Sequence, residues 1–442
     1  MASGEALDES SRKALEYSAY YGGKIEMVPK IPVRSLDDFS IWYTPGVAAV
    51  ARAIERDADL SFEYTNRWNT VAVLTDGSRV LGLGNVGPEA SLPVMEGKAL
   101  IYKYLGGVDA IPVPVRASSE EEIVRMAEML EPGFGGINLE DIASPKCFGI
   151  LEKLSESMQI PVWHDDQQGT AGVILAALYN ALELTERRLE SSKIVMFGSG
   201  AANIAAARLL IAAGASAGDM VLVDSRGILH SEREDMDQLL LKNRWKYDMA
   251  LRTNSSRRKG ALREALKGAD VLIAAASPGP DLLKKEDVAV MDRRPVTFLL
   301  SNPVPEMWPE EAEKAGAAVV ATGRSDFPNQ VNNSVLFPAV FRGALDVRAK
   351  TISDTMVIAA SKELARFAKE KGLSDSNIIP NMMDWEVFPN VAATIGEQAQ
   401  REGLARKKMT RSELIAKSSE TMERSKKVLH FLMEKGIIRT PP

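Results

Sequence analysis

Two stretches decide the fold of this chain: FGGINLEDIASPKCFG at residues 134–149 and IPVWHDDQQGTAGVILAAL at residues 160–178. In each, a short apolar run ends in a pair of acids, Glu140-Asp141 in the first and Asp165-Asp166 in the second. After each pair the pattern switches from strand to helix. Ser144 and Pro145 read as a helix N-cap with proline in the first turn, opening an amphipathic stretch to about Met158. Gln167 to Thr170 lead into a run long and apolar enough to be a buried helix. Upstream, Ser119 and Glu122 are spaced as a capping box that opens another helix. Strand, helix, strand, helix predicts a parallel sheet with right-handed crossovers. Both acidic pairs then leave at the carboxyl edge of that sheet, where ligands of open α/β sheets collect. The four carboxylates repel one another unless a cation joins them. Oxygen-only ligation of this kind suits magnesium or manganese, not zinc.

Further along, the alternation becomes regular. KIVMFGSG (193–200) reads as strand then turn, AANIAAARLLIAAG (201–214) as helix and DMVLVDSRG (219–227) as the next strand. DVLIAAAS, PVTFLLSNP and AAVVATG supply three more strand-like runs, and beyond residue 350 the pattern is helical, with Thr410 and Glu413 opening a last helix. The expected architecture is α/β with two domains. Residues 1–167 form an N-terminal α/β catalytic domain and 168–350 a Rossmann-type parallel-sheet dinucleotide domain, with 351–442 a helical segment packing on both. Residues 1–40 read as one helix followed by a segment interrupted by Pro29 and Pro32, and residues 225–260 as charged and irregular.

Composition narrows the function. A 442-residue chain that is 45% hydrophobic and 26% charged is that of an ordinary soluble protein with room for more than one core. A net charge of −6 argues against nucleic acid as the main partner. Residues 406–439 differ locally, with ten Lys/Arg against four Glu, which reads as a solvated helix surface or a subunit contact. The single cysteine, Cys147, excludes an internal disulfide or a cysteine metal site and reads as packing. With only His164, His230 and His430, acid–base chemistry must rest largely on lysine, tyrosine or carboxylates. MASGEALDESSRKALEY lacks the pattern of a secretory leader and no apolar run approaches membrane-spanning length, so a cytoplasmic location away from membranes is expected.

Individual motifs carry the chemistry. Gly198-Ser199-Gly200-Ala201-Ala202-Asn203 follows an apolar strand and opens an alanine-rich helix, where glycines let a pyrophosphate approach a helix N-terminus. Asn203 stands at the third glycine position, a departure from the fingerprint. Asp224 follows the next strand at the distance of an acid that binds the adenosine ribose, and Arg226 is placed to accept a 2′-phosphate instead, leaving NAD and NADP both open. A second match, Gly82 to Gly87, is followed by Pro88 and Pro93; no regular helix is expected to open there, and it reads as a tight turn at the floor of a site. Lys98 lies on an apolar stretch, either snorkelling to solvent or desolvated with a lowered pKa. Tyr43 precedes a Pro-Gly turn, and Asn302 and Asn333 read either as turn formers or as donors to a substrate carboxylate.

Taken together, WYTPGVA, TDGSRVLGLGNVGPEASLPVMEGKA, FGGINLEDI, VWHDDQQGTA, FGSGAAN, SNPVPE and ATGRSDFPNQVNN, in this order across about residues 41–348, resemble the malic enzyme family, in particular its short bacterial and archaeal members. The resemblance implies oxidative decarboxylation of L-malate to pyruvate and CO2 with reduction of NAD or NADP, dependent on Mg2+ or Mn2+. It implies Glu140, Asp141 and Asp166 as metal ligands, Lys98 as general base, Tyr43 as general acid and Asp165 as the group that holds Lys98. Arg79, Lys98, Asn302 and Asn333 become substrate contacts. Gly198, Ser199, Gly200, Ala201, Ala202, Asp224 and Asn302 become cofactor contacts. The family's habit suggests a homodimer, with the N-terminal helix and the basic C-terminal helix as candidate contacts. Malolactic conversion or plain oxaloacetate decarboxylation on the same fold is the nearest alternative, and a silent dinucleotide-binding regulator a more distant one.

Overall fold

The computed structural model describes residues 8–441; the first seven residues, on which the reading of the leader partly rested, lie outside them. Among the described residues, ten strands form two sheets. The first sheet has the order β2-β1-β3-β4, from β1 (Thr70–Thr75), β2 (Asp109–Pro114), β3 (Gly136–Leu139) and β4 (Val162–His164). All of its pairings are parallel. β3 and β4 are buried along their whole length and adjacent, so both acidic pairs leave the same edge side by side.

The second sheet has the order β10-β9-β8-β5-β6-β7. Its strands are β5 (Ile194–Phe197), β6 (Met220–Asp224), β7 (Gly227–Ile228), β8 (Val271–Ala274), β9 (Val296–Leu299) and β10 (Val319–Thr322). Counted from β5, this is the doubly wound order of dinucleotide-binding sheets, with the strand order reversing between β5 and β8. The third strand of the first half has shrunk to the two-residue β7, paired antiparallel to β6. So short an element leaves no periodic trace in the sequence. The segment expected to be irregular after it holds helices Met236–Lys242 and Arg244–Arg252.

Three local expectations differ from the structure. The helix after Asp141 spans Lys146–Ser157 with Pro145 at its N-cap and no side-chain cap, so Ser144 does not cap it. Ser119 does cap the helix Glu120–Leu130, but Glu122 reaches back to the amide of Ser118, one residue earlier than a capping box requires. A regular helix, Gly87–Gly106, does open after the second glycine motif. Pro88 lies in its first turn, where a missing N–H costs nothing, and Pro93 is tolerated inside it. By contrast, Thr410 and Glu413 form the capping box of helix Arg411–Glu434.

One continuous core joins both sheets to the C-terminal helices. The helix Phe337–Asp346 packs on Gly87–Gly106 and on Val387–Arg401, while Asp354–Glu370 packs on Thr170–Leu184. A second cluster fills the other face of the six-stranded sheet. No described helix is long and apolar enough to cross a membrane. The N-terminal arm contrasts with this packing: helices Leu36–Trp42 and Val47–Arg56 bury no apolar side chain, and Met27 and Leu36 are 93% and 84% exposed.

Candidate active site

The first sheet gathers its acids into two groups. Glu140, Asp141 and Asp166 each offer an oxygen within 4.8 Å of the others. Asp141 adopts a left-handed backbone (φ 53°), a conformation that costs a non-glycine residue energy and turns its amide toward Asp166 Oδ2, 3.0 Å away. Its own Oδ2 is buried without a partner. Burial, then repulsion from Asp166, pushes the Asp141 carboxyl up to about 8. Burial raises Glu140 well above the usual carboxylate range, and the Lys98 charge only partly opposes it. Three oxygen donors with an excess of buried negative charge fit a hard divalent cation.

Asp165 turns the other way. It pairs with the Lys98 ammonium and accepts a hydrogen bond from Trp163 Nε1 at 3.0 Å. Lys98 also reaches Glu140 Oε1 at 2.9 Å and lies 4.2 Å from the centre of the Phe337 ring. Lys98 is therefore not snorkelling. Nor is its pKa lowered: burial works in that direction, but Asp165 and Glu140 outweigh it and hold the ammonium charged.

The structure adds residues that the sequence reading passed over. Tyr102 donates to Asn138 Oδ1 at 2.8 Å, and Asn138 Nδ2 donates to Glu140 Oε2 at 2.7 Å. Spacing carried a signal for both. Tyr102 is one helical turn after Lys98, and Asn138 shares a strand face with Glu140. Trp163, by contrast, looked like one more core residue. His164 is fully buried, with both ring nitrogens unpartnered and its pKa pushed by burial down to about 3. Cys147 is buried, and burial pushes its thiol up to about 12, in keeping with a packing role.

Glycine keeps the acidic turn tight. A Cβ at Gly169 would stand 2.0 Å from Asp165 Oδ1 and 3.2 Å from Asn333 Cβ, so Asn333 borders the lysine group. Arg79 is exposed at the mouth; its amide donates to Asp141 O at 3.0 Å, and its charge acts on Asp166. The turn holding Gly82 lies against the Asn302 carbonyl, where a Cβ would approach to 2.7 Å. The loops of the two sheets therefore meet at this point. Tyr43 is not brought to the group: it is 70% exposed, and no described hydrogen bond joins it to Lys98, Glu140 or Asp165.

The facing edge belongs to the second sheet. Gly198 (φ 96°) ends β5 where a Cβ would collide with Ala275 O at 2.5 Å, so the chain passes only as glycine at the reversal of strand order. Gly200 faces open space, and Ala201 and Ala202 begin the helix Ala201–Ala212, which has no side-chain cap on its amides. Such an end suits a pyrophosphate, with Ser199 in the turn. Asn203 fills the space usually kept clear by glycine and uses it: its Nδ2 donates to Phe197 O at 2.8 Å and Gly198 O at 3.0 Å. Asp224 ends β6 with its carboxylate paired to Arg233 and Lys246. Burial opposes its charge, but these hydrogen bonds hold its carboxyl below the usual range.

A doubly wound sheet facing a carboxylate-bound lysine and a triad of acids defines a dinucleotide-linked α/β enzyme. Family models described as "Malic enzyme, N-terminal domain" and "Malic enzyme, NAD binding domain" match residues 22–121 and 167–400. The chain belongs to the malic enzyme family. It is 46% identical to the NAD-dependent malic enzyme of Geobacillus stearothermophilus over 388 residues, covering 88% of this chain and 79% of that protein. It is 42% identical to an NADP-dependent malic enzyme of Rhizobium meliloti, covering 90% of this chain and 53% of that one. The crystal structure of Entamoeba histolytica malic enzyme superposes with a TM-score of 0.94 at 40% identity, covering 99% of this chain and 93% of that chain.

Proposed function

We propose that the chain catalyses the oxidative decarboxylation of L-malate to pyruvate and CO2, reducing NAD or NADP, with a divalent cation held by Glu140, Asp141 and Asp166. The observation that carries this reading is the placement of Lys98 between Asp165 and Glu140, beside that acidic triad, with the helix that opens after Gly200 packed on the Asp165–Gly169 turn. The nicotinamide would supply the hydride acceptor, and a Mg2+ or Mn2+ ion the Lewis acid for charge developing on substrate oxygens.

The chain supplies the rest. Lys98 takes the proton of the C2 hydroxyl, and Asp165, fixed by Trp163, sets the direction of its amine. To act as a base Lys98 must first lose the charge that Asp165 and Glu140 now favour; Glu140 would hold it less strongly when sharing a cation with Asp141 and Asp166. Arg79, Asn302 and Asn333 border the same space and suit the malate carboxylates and the carboxamide of nicotinamide. Tyr43 is the residue to return a proton to C3. It stands on an arm whose apolar side chains face solvent, and an exposed apolar surface of this extent points to a partner. A homodimer in which the arm of one copy lies over the site of the other would cover that surface and give Tyr43 a route to the substrate.

Following absorbance of the reduced dinucleotide with malate and Mn2+ tests the reaction and separates it from redox-neutral malolactic conversion. Lys98→Ala abolishes dinucleotide reduction while leaving Mn2+ binding in place. Mixing Lys98→Ala with Tyr43→Phe chains and letting the subunits exchange restores part of the activity if Tyr43 acts across the dimer. Near-normal turnover by Lys98→Ala would sink the assignment.

A further inference from the structure

We propose that the adenosine end of the nucleotide site is built for a 2′-phosphate, and that Arg226 is the residue that selects NADP over NAD. The inference rests on the dinucleotide reading of the Gly198–Asn203 turn, and it concerns a choice that the fold leaves open.

An acid at the end of the second strand favours NAD when its two oxygens are free to take the ribose hydroxyls, and its charge then repels a 2′-phosphate. Asp224 occupies that position, but both of its oxygens are committed within the chain. Oδ1 accepts from the Arg226 amide at 2.8 Å and from Arg233 Nη1 at 3.0 Å, and Oδ2 pairs with the Lys246 ammonium. The side chain is only 6% exposed. A ribose diol would have to reach this nearly buried carboxylate and share it with two cations that already neutralise it, so its pull on the diol and its repulsion of a 2′-phosphate are both weakened. Arg233 is equally occupied, since its remaining donors fork onto Asp235 at 2.7 and 2.5 Å.

Arg226 differs. Two residues beyond β6, its side chain is 63% exposed and, among the described residues, its guanidinium makes one hydrogen bond, 3.1 Å to an Asp235 oxygen that Arg233 already holds. Most of its guanidinium donors are therefore free at the rim, in a planar array matched to phosphate. The surroundings are positive as well. Among the described residues, Arg226, Arg233 and Lys246 form ion pairs only with Asp224 and Asp235, and in the same segment Arg257 and Lys259 share Glu232. A field of this sign draws in the extra dianion that distinguishes NADP.

The test uses the full chain and two fragments that differ only in the phosphate, 2′,5′-ADP and 5′-AMP, titrated by calorimetry without turnover. The wild type is expected to bind 2′,5′-ADP at least about tenfold more tightly, and raised salt should narrow the gap. Arg226→Ala brings the two affinities to within about threefold, and Arg226→Lys restores part of the preference. Because Arg226 is exposed, loss of folding does not confuse the result. Equal or tighter binding of 5′-AMP by the wild type, or an unchanged ratio in Arg226→Ala, overturns the proposal. A chain that prefers 2′,5′-ADP but oxidises no malate would keep this inference and remove the malate reading. Malate oxidation with NAD favoured and no fragment preference would do the reverse.

Discussion

Asn138 has both ends of its amide committed, accepting from Tyr102 and donating to Glu140. Glu140, one of the proposed cation ligands, therefore has one oxygen fixed and the other turned toward Lys98. Asn138→Ala should therefore weaken Mn2+ binding by about ten- to a hundredfold while leaving 5′-AMP binding unchanged, as measured by calorimetric titration. At this scale the sequence was readable for the two acidic pairs, whose residue type and position after β3 and β4 marked them as a cluster; for Lys98 it left snorkelling and burial both open, and the structure shows burial. It was less readable for Asn138 and Trp163. Inside apolar strands such residues look like core, and only the neighbours that the fold brings up reveal what they hold. The charge state of Lys98 was hidden for the same reason. Burial alone lowers a lysine pKa, and the opposing carboxylates come from β3 and the turn after β4.

Helix Phe337–Asp346 shows how an element is locked in place. Arg342 and Asp346 are fully buried and form a two-point ion pair at 3.0 and 3.1 Å. Arg342 also donates to Asn69 beside β1, and Asp346 accepts from Ser418 on the last helix. Removing one partner leaves a buried charge, so Arg342→Ala should cost about 3 kcal/mol, measured as a shift in the urea midpoint at constant slope. A change near zero would mean that Lys417, 2.8 Å from Asp346, compensates alone. Strands β5, β6, β8, β9 and β10 were legible because each is an unbroken apolar run ending in small or turn residues. The helix Gly87–Gly106 was masked by Pro88 and Pro93, since local rules weigh prolines without knowing that tertiary packing stabilises the helix around them.

At the scale of the whole molecule, the acidic edge ties proton uptake to stability, and the cation site proposed there would join that linkage. Asp141 is raised from an ordinary 3.8 to about 8, so the folded chain retains a proton that the unfolded chain has released. The stability this provides is present below about pH 4 and is lost as pH rises through about 8. A divalent cation at the proposed site would replace that proton, so Mn2+ should raise the melting temperature more at about pH 8.5 than at about pH 6. At a free concentration a hundredfold above Kd the stabilisation is about 2.7 kcal/mol. Asp141→Ala should remove most of the Mn2+ effect at both pH values. An equal Mn2+ shift at the two pH values would contradict the account.

By itself the sequence determined the parallel strands on which both sheets are built, the glycine turn after β5 and the two acidic pairs at the strand ends, because apolar periodicity and residue type are local properties. Only the tertiary structure decided how those acids divide: Asp165 toward Lys98, and Glu140, Asp141 and Asp166 toward one another. It also decided that Asp224 is spent on Arg233 and Lys246, and that Tyr43 stands on an exposed arm. Each of these depends on which distant side chain occupies the space next to a group. Spacing along the chain does not encode that; the packing of one element on another does.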